Sequence, residues 1–465
     1  MTRRTILLLT ATFLAGAAFT GPAARMFVPH FAAAHADSAS SSTEKARALA
    51  LFGQVLARVQ ADYVDPIDTG TLIHHALDGM LSRLDPHSGY LDAKEWREMQ
   101  VETRGRFGGL GMTVTGTAGV LKVISPIDGT PAARAGIKPG DLIAAVDGKT
   151  LEGLTLAQAV DRLRGPPDTQ VHITIKREGT AAPLELTLTR EIIHMEVVKS
   201  RRHGDIGYIR LAEFNDETER GLRAALAALQ KPGGGKLRGL VLDLRNNPGG
   251  LLDQAVAVAD DFLNAGTIVS TKGRDADDTQ TWRARSGDLS HALPIVVLIN
   301  NGSASAAEIV AGALQDNHRA LLLGTRSFGK GSVQTLFPLK NEGAIRLTTA
   351  RYYTPDGRSI QGDGIAPDVV VQATDTPQPG FSPAHESDLN NTISNSGGVT
   401  GVSPRRPDLQ TAEGIAERPP KDWPKFDPTK PETDFQLHQA LILVRRMAAN
   451  DSVGPLGPHV ARRPG

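Results

Sequence analysis

The chain has 465 residues, no cysteine, and 51 basic against 51 acidic side chains. The missing cysteine excludes disulfides, thiolate metal sites and a cysteine nucleophile. The balanced charge leaves no footprint for nucleic acid as the main partner, and the length fits roughly two to four domains.

Arg3 and Arg4 precede an apolar run over 6–19, and Ala34-His35-Ala36 forms an A-x-A site. This is the layout of a secretory signal. The run is short for a membrane span, which takes about 20 residues. Residues 1–36 therefore read as a signal peptide or N-terminal anchor. The body reads as exported or periplasmic, with anchoring to the inner membrane through the N-terminus left open. Leu49, Leu51, Phe52, Val55, Leu56 and Val59, then Leu72, Leu77, Met80, Leu81 and Leu84, fall at helical spacing. Pro66 and the run Asp85-Pro86-His87-Ser88-Gly89 interrupt it, so 44–103 is expected to be a helical domain. Residues 104–190 change to a β-rich module. Thr130-Pro131 opens a short helix, Asp147-Gly148 marks a tight turn, 155–163 is an amphipathic helix, and 171–176 and 184–188 alternate as strands. Over 191–372, strands at 206–211, 240–244, 295–299 and 320–323 alternate with helices at 218–229, 251–263 and 303–314. Closing strands follow at 344–353 and 368–371, which predicts a layered α/β core. Residues 373–432 are dense in Pro, Gly, Ser, Thr and Asn and read as a disordered linker. Residues 433–465 read as a C-terminal helix, over 434–447, and a tail.

Two segments could carry chemistry. Asn300-Asn301-Gly302-Ser303-Ala304-Ser305-Ala306-Ala307-Glu308 leaves an apolar strand and enters a helix. Backbone N–H groups and the helix dipole at such a junction favour developing negative charge. Ser305-x-x-Glu308 is equally a capping box that needs no catalysis. The second segment, Gly324-Thr325-Arg326-Ser327-Phe328-Gly329-Lys330-Gly331, nearly matches a phosphate-binding loop. Gly331 stands where a magnesium-binding hydroxyl is required, so nucleotide binding is not expected. The loop instead holds Lys330 between glycines, with no acidic residue beside it. Burial disfavours a charged ammonium. A neutral-pH base needs its pKa lowered from about 10.4 to 7–8, of order 4 kcal/mol. A solvated surface lysine is the alternative. His35, His87, His203, His291 and His318 fall in no spacing that marks a triad partner, although triads are spatial and a histidine base stays open here. No HExxH motif or His/carboxylate cluster points to a metal, and no cofactor is expected.

Together the two segments resemble the carboxy-terminal processing, or tail-specific, proteases of peptidase family S41. In that family a serine in a SAS-x-EI context lies 25 residues before the lysine of FGKG, and a glutamine follows four residues on; here these are Ser305, Lys330 and Gln334. The resemblance implies Ser305 rather than Ser303 as nucleophile, Lys330 as general base and Gln334 as the residue orienting the lysine. Asp243-Leu244-Arg245-Asn246-Asn247-Pro248-Gly249-Gly250 is similar to the family's DLRNNPGG loop. It implies an oxyanion hole from Gly249 or Gly250 paired with Ala306, and a Gly-Gly turn permits the close backbone approach this requires. Residues 353–362 also resemble a closing segment of the family, expected to be architectural. The module at 104–190 looks like a PDZ domain. Its Phe107-Gly108-Gly109-Leu110-Gly111-Met112 matches a carboxylate-binding loop. The likeness implies peptide binding by Gly108, Gly109, Leu110, Gly111 and Met112, with a tail added as a strand. The implied fold is a layered αβ, ClpP/crotonase-like protease core with an inserted PDZ domain and an N-terminal helical domain. The implied function is a Ser-Lys endopeptidase cleaving exported proteins at or near unstructured C-terminal tails. An adaptor or a homo-oligomer stays open as a partner. The alternative is a catalytically inactive PDZ scaffold of the cell envelope.

Overall fold

The computed structural model describes residues 39–117, 120–180, 182–231, 235–275, 277–340, 342–375, 385–395, 411–427 and 429–450. The signal or anchor expected at 1–36, and the tail after 450, lie outside the described residues. No helix among the described residues is long and apolar enough to cross a membrane. The chain divides into two compact units at Ile73. In the first, helix Ala39–Asp62 leaves Leu49, Leu51, Phe52 and Val55 exposed, and Gln60 Nε2 donates to Thr69 Oγ1.

In the second unit, parallel strands Ile206–Leu211, Gly239–Asp243, Ile295–Ile299, Leu321–Gly324 and Val369–Val370 lie in that order, with antiparallel Val198–His203 at the first edge. The three central strands are buried throughout, as continuous apolar runs in a sheet covered on both faces should be. On one face Leu240, Leu242, Val297, Ile299 and Leu322 pack with helices Thr218–Leu229, Leu252–Asp260 and Ala306–Asp316. On the other, Val241, Val296, Leu298 and Leu323 pack with Phe435, Leu437, Leu443 and Val444 of helix Phe435–Asn450. Each such side chain contributes about 1.5–3 kcal/mol on burial, so the last helix is part of the core. A second sheet joins Ser332–Leu339, Gly343–Tyr353, Gly89–Leu91, Thr267–Lys272 and Thr279–Arg283. Strand Ser332–Leu339 has no counterpart in the sequence reading. Its apolar residues do not alternate cleanly, and its pairing with Gly343–Tyr353 defines it.

Between these elements sits the β-rich module. Its sheet runs Met112–Thr117, Val120–Pro126, Leu142–Val146, Gln170–Lys176, Leu184–Thr189, with Lys149–Thr150 paired to the third strand. Ile143, Leu151, Val171, Ile173 and Ile175 centre a separate core. Met112–Thr117 pairs only with Val120–Pro126 among the described strands, so its other side is a sheet edge facing helix Leu156–Leu163. Arg106–Gly109 pairs with Glu191–His194 and closes the neck of the module.

The reading of 373–432 as a disordered linker is corrected by the parts described. Glu386, in the 3-10 turn Glu386–Asp388, is fully buried. Trp423 Nε1 donates to the Thr433 carbonyl at 3.0 Å, and its ring meets Phe435 edge-on. Average composition conceals single anchoring residues of this kind.

Candidate active site

The central strand Ile295–Ile299 delivers the chain to helix Ala306–Asp316 through a tight junction. Asn300 Oδ1 accepts the Gly302 and Asn246 N–H groups, and Asn300 Nδ2 donates to Asn246 Oδ1. Ser303 is fully buried, and its hydroxyl donates to the Leu244 carbonyl at 2.8 Å while accepting the Asn300 N–H. Ser303 is thus occupied in tying the two loops together. Ser305 heads the helix at φ 53°, ψ −113°. An L-residue held at positive φ costs about 1–3 kcal/mol, and such strain concentrates at functional turns. The conformation resembles the sharp strand-to-helix turn on which nucleophilic serines are presented. Burial pushes the phenol of Tyr352 up to about 12, and the Ser305 side chain is the polar group that acts on it.

Glu308, one helical turn on, is fully buried. Its Oε2 accepts the N–H of Ser305 at 2.8 Å and of Lys330 at 2.9 Å. Its Oε1 accepts the Gly329 N–H at 2.7 Å and the Ser327 hydroxyl at 2.5 Å. Burial pushes this carboxyl up to about 7 against the pull of those donors. One carboxylate therefore joins the serine junction to the lysine loop. In the sequence Glu308 shows only as a capping residue.

Lys330 is partly buried. Burial lowers its proton affinity and Arg346 adds to the effect, while Glu386, Glu308 and Asp85 oppose it. Among the described residues Nζ makes no ion pair or hydrogen bond, Ser305 included. The structure brings Ser305 and Lys330 together through Glu308, not through a direct side-chain bond. Gln334 is not bonded to Lys330 either: Nε2 donates to Ser332 Oγ at 3.0 Å and Thr348 Oγ1 at 3.2 Å. Thr348 in turn donates to Asp85. His318 follows the far end of the serine helix, which at 1.5 Å per residue is about 16 Å long.

The Gly249-Gly250 turn packs against Ser305. A Cβ on Gly249, at φ 103°, would stand 2.8 Å from Ser305 Cβ and 3.0 Å from the Ala306 nitrogen. The Gly249 N–H, one of the expected oxyanion donors, already donates to Asn247 Oδ1 at 2.9 Å. Among the described residues nothing accepts the N–H of Gly250 or Ala306. In the β-rich module, Leu110 is buried and the carbonyls of Gly108, Leu110 and Gly111 accept from Gly165, Ala132 and Ile127. That leaves the N–H groups of Leu110 and Gly111 without acceptors among the described residues, beside the open edge that begins at Met112. Gly109 pairs with Glu191 and Gly108 with Ile192.

The family description "Peptidase family S41" matches residues 205–371, and "PDZ domain" matches 122–177. A carboxy-terminal-processing protease of Bartonella bacilliformis is 48% identical over 398 residues, covering 85% of this chain and 88% of the relative. A carboxyl-terminal-processing protease of Synechocystis is 40% identical over 305 residues, 64% of this chain and 70% of the relative. Among solved structures, a photosystem II D1 C-terminal processing protease aligns at 33% identity and TM-score 0.41, over 70% of this chain and 92% of that one. The chain belongs to peptidase family S41, as a serine-type carboxy-terminal-processing protease with a PDZ domain.

Proposed function

We propose that the protein is an exported endopeptidase that cleaves polypeptides at or near their C-termini with a Ser305–Lys330 dyad, the tail being captured by its PDZ module. The observation that carries this reading is the shared carboxylate of Glu308. It fixes the backbone of a strained serine and of a lysine whose proton affinity is lowered. Neutral Lys330 takes the hydroxyl proton as Ser305 Oγ bonds to the scissile carbonyl carbon. The oxyanion accepts the N–H groups of Ala306 and Gly250, the first reinforced by the helix dipole. Collapse breaks the C–N bond, and Lys330 returns its proton to the leaving amine. Water, deprotonated by Lys330, then releases the acyl group and restores the serine. Catalytic hydrogen bonds are often long before substrate arrives, so side-chain contact between Ser305 and Lys330 belongs to the bound state.

The tail enters beside Met112–Thr117 as an added strand, its carboxylate on the N–H groups of Leu110 and Gly111, with helix Leu156–Leu163 as the other wall. Export and a periplasmic location follow from the N-terminal residues alone. Ser305→Ala and Lys330→Ala should each abolish cleavage of an unfolded substrate with an apolar tail. An active Lys330→Ala protein, with activity lost in His318→Ala, would overturn the dyad.

A further inference from the structure

The segment after the core returns to the lysine loop. The Glu386 N–H donates to the Phe328 carbonyl at 3.0 Å. Its carboxylate accepts Gln361 Nε2 at 3.0 Å and His87 Nε2 at 2.9 and 2.8 Å. Gln361 Oε1 in turn accepts the Gly331 N–H at 2.9 Å. Phe328 and Gly331 flank Gly329-Lys330, so both ends of the turn that presents the lysine are held from Glu386. Thr392 Oγ1 donates to the Glu386 carbonyl and fixes the 3-10 turn itself. Burying a carboxylate costs several kcal/mol unless donors compensate it. No step of the proposed reaction touches this one.

We propose that Glu386 is a positioning residue for the lysine loop, acting on Phe328 directly and on Gly331 through Gln361, with His87 locking its carboxylate. This rests on Lys330 being the general base. His87 comes from the Asp85–Ser88 interruption, so that loop has a role beyond ending a helix. The same loop holds the other flank, where Asp85 accepts from Thr348 and Thr348 accepts from Gln334. The charge of Glu386 also acts on Lys330, raising its proton affinity together with Glu308 and Asp85, against burial and Arg346. Arg346 itself donates to the His87 carbonyl.

The test uses the full chain, a short fluorogenic peptide, and the variants Glu386→Gln, Gln361→Met and Lys330→Ala, with melting temperatures measured alongside. Glu386→Gln should lower kcat roughly ten- to hundredfold, the scale of one charged hydrogen bond, with KM nearly unchanged. Its acid limb of kcat should move to lower pH, because a negative charge near Lys330 is gone. Gln361→Met should lower kcat with the acid limb unmoved, and it carries the test if Glu386→Gln does not fold. Wild-type kcat in either folded variant overturns the proposal. So does a loss in Glu386→Gln that leaves the acid limb in place, which would assign the residue to stability alone. If Lys330→Ala cleaves like wild type, the base assignment fails instead.

Discussion

Glu308→Gln separates two consequences of burying one carboxylate at the junction. Burial raises the folded pKa from 4.5 to about 7, which at 1.36 kcal/mol per unit is roughly 3 kcal/mol. Because the folded value is the higher one, that stability is fully present below pH 4.5 and is lost as pH rises through about 7. Glutamine carries no charge and escapes this loss. With its oxygen toward Ser305 and Lys330, its amide group faces the Gly329 N–H and the Ser327 hydroxyl. The hydroxyl can turn to accept, so a single backbone donor goes unmet, at about 1–3 kcal/mol. At pH 8 the gain and the loss nearly offset. Glu308→Ala leaves three backbone N–H groups unmet, roughly 3–9 kcal/mol on the same scale. Urea unfolding of wild type and both variants between pH 5 and 8 reads these terms directly. The glutamine variant should gain on wild type as pH rises, and the alanine variant should be much the weakest. The glutamine variant's kcat on a short peptide should still fall about tenfold, since the turn beside Lys330 has lost one bond. A stability difference between glutamine variant and wild type that stays flat from pH 5 to 8 would refute the reasoning.

Lys330→Met should abolish cleavage and stabilise the protein increasingly as pH falls. The folded pKa of Lys330 lies below 10.5, so its stability contribution is present above 10.5 and lost as pH falls through the folded value; calorimetry showing a pH-independent gap would contradict this. Gly249→Ala places a methyl group 2.8 Å from both Ser305 Cβ and the Ala304 carbonyl at positive φ, a strain of about 1–3 kcal/mol. Cleavage should fall at least tenfold in a folded protein, and unaltered kcat would show that the turn does not bear on the serine. In the PDZ module, a Cβ on Gly111 would meet Thr130 at 2.3–2.5 Å. Gly111→Ala should therefore weaken binding of an apolar tail peptide, read by fluorescence anisotropy, and leave tailless-peptide cleavage intact.

The layered core was legible because Leu240, Val241 and Leu242, and the whole of Ile295–Ile299, are apolar on both sides, a pattern that only a covered parallel strand requires. Ser305 and Lys330 stand out as a pair in the sequence only through the family resemblance, which supplies the separation that links two otherwise ordinary segments. What escaped was the matrix around them. Glu308 showed only its local role, since its bonds to Gly329 and Lys330 span more than 20 residues. Glu386 stands in a segment whose average composition argues against order, and its partners His87 and Gln361 are 299 and 25 residues away. The Gly249 N–H is likewise taken by the Asn247 side chain, a bond that sequence does not reveal. No periodicity encodes such contacts.

The family match spans 205–371 and contains every group proposed to react. Much of what fixes those groups lies outside it. Asp85 and His87 come from before the PDZ module and Glu386 from after the core, and they hold the lysine loop on two flanks. Arg245, two residues before Asn247, is half-buried and paired with both Asp243 and Asp434, the residue that leads into the last helix. The Gly249-Gly250 turn is held in turn by Phe214, whose N–H donates to the Gly249 carbonyl and whose carbonyl accepts from Leu251. Its neighbour Asn215 packs directly against Gly105, where the chain leaves helix Ala93–Arg104 for the PDZ neck. A buried polar network loses more than the sum of its pairs when one member is removed. The reacting groups can therefore sit in a compact core while their alignment depends on segments at both ends of the chain and on the neck of the PDZ module.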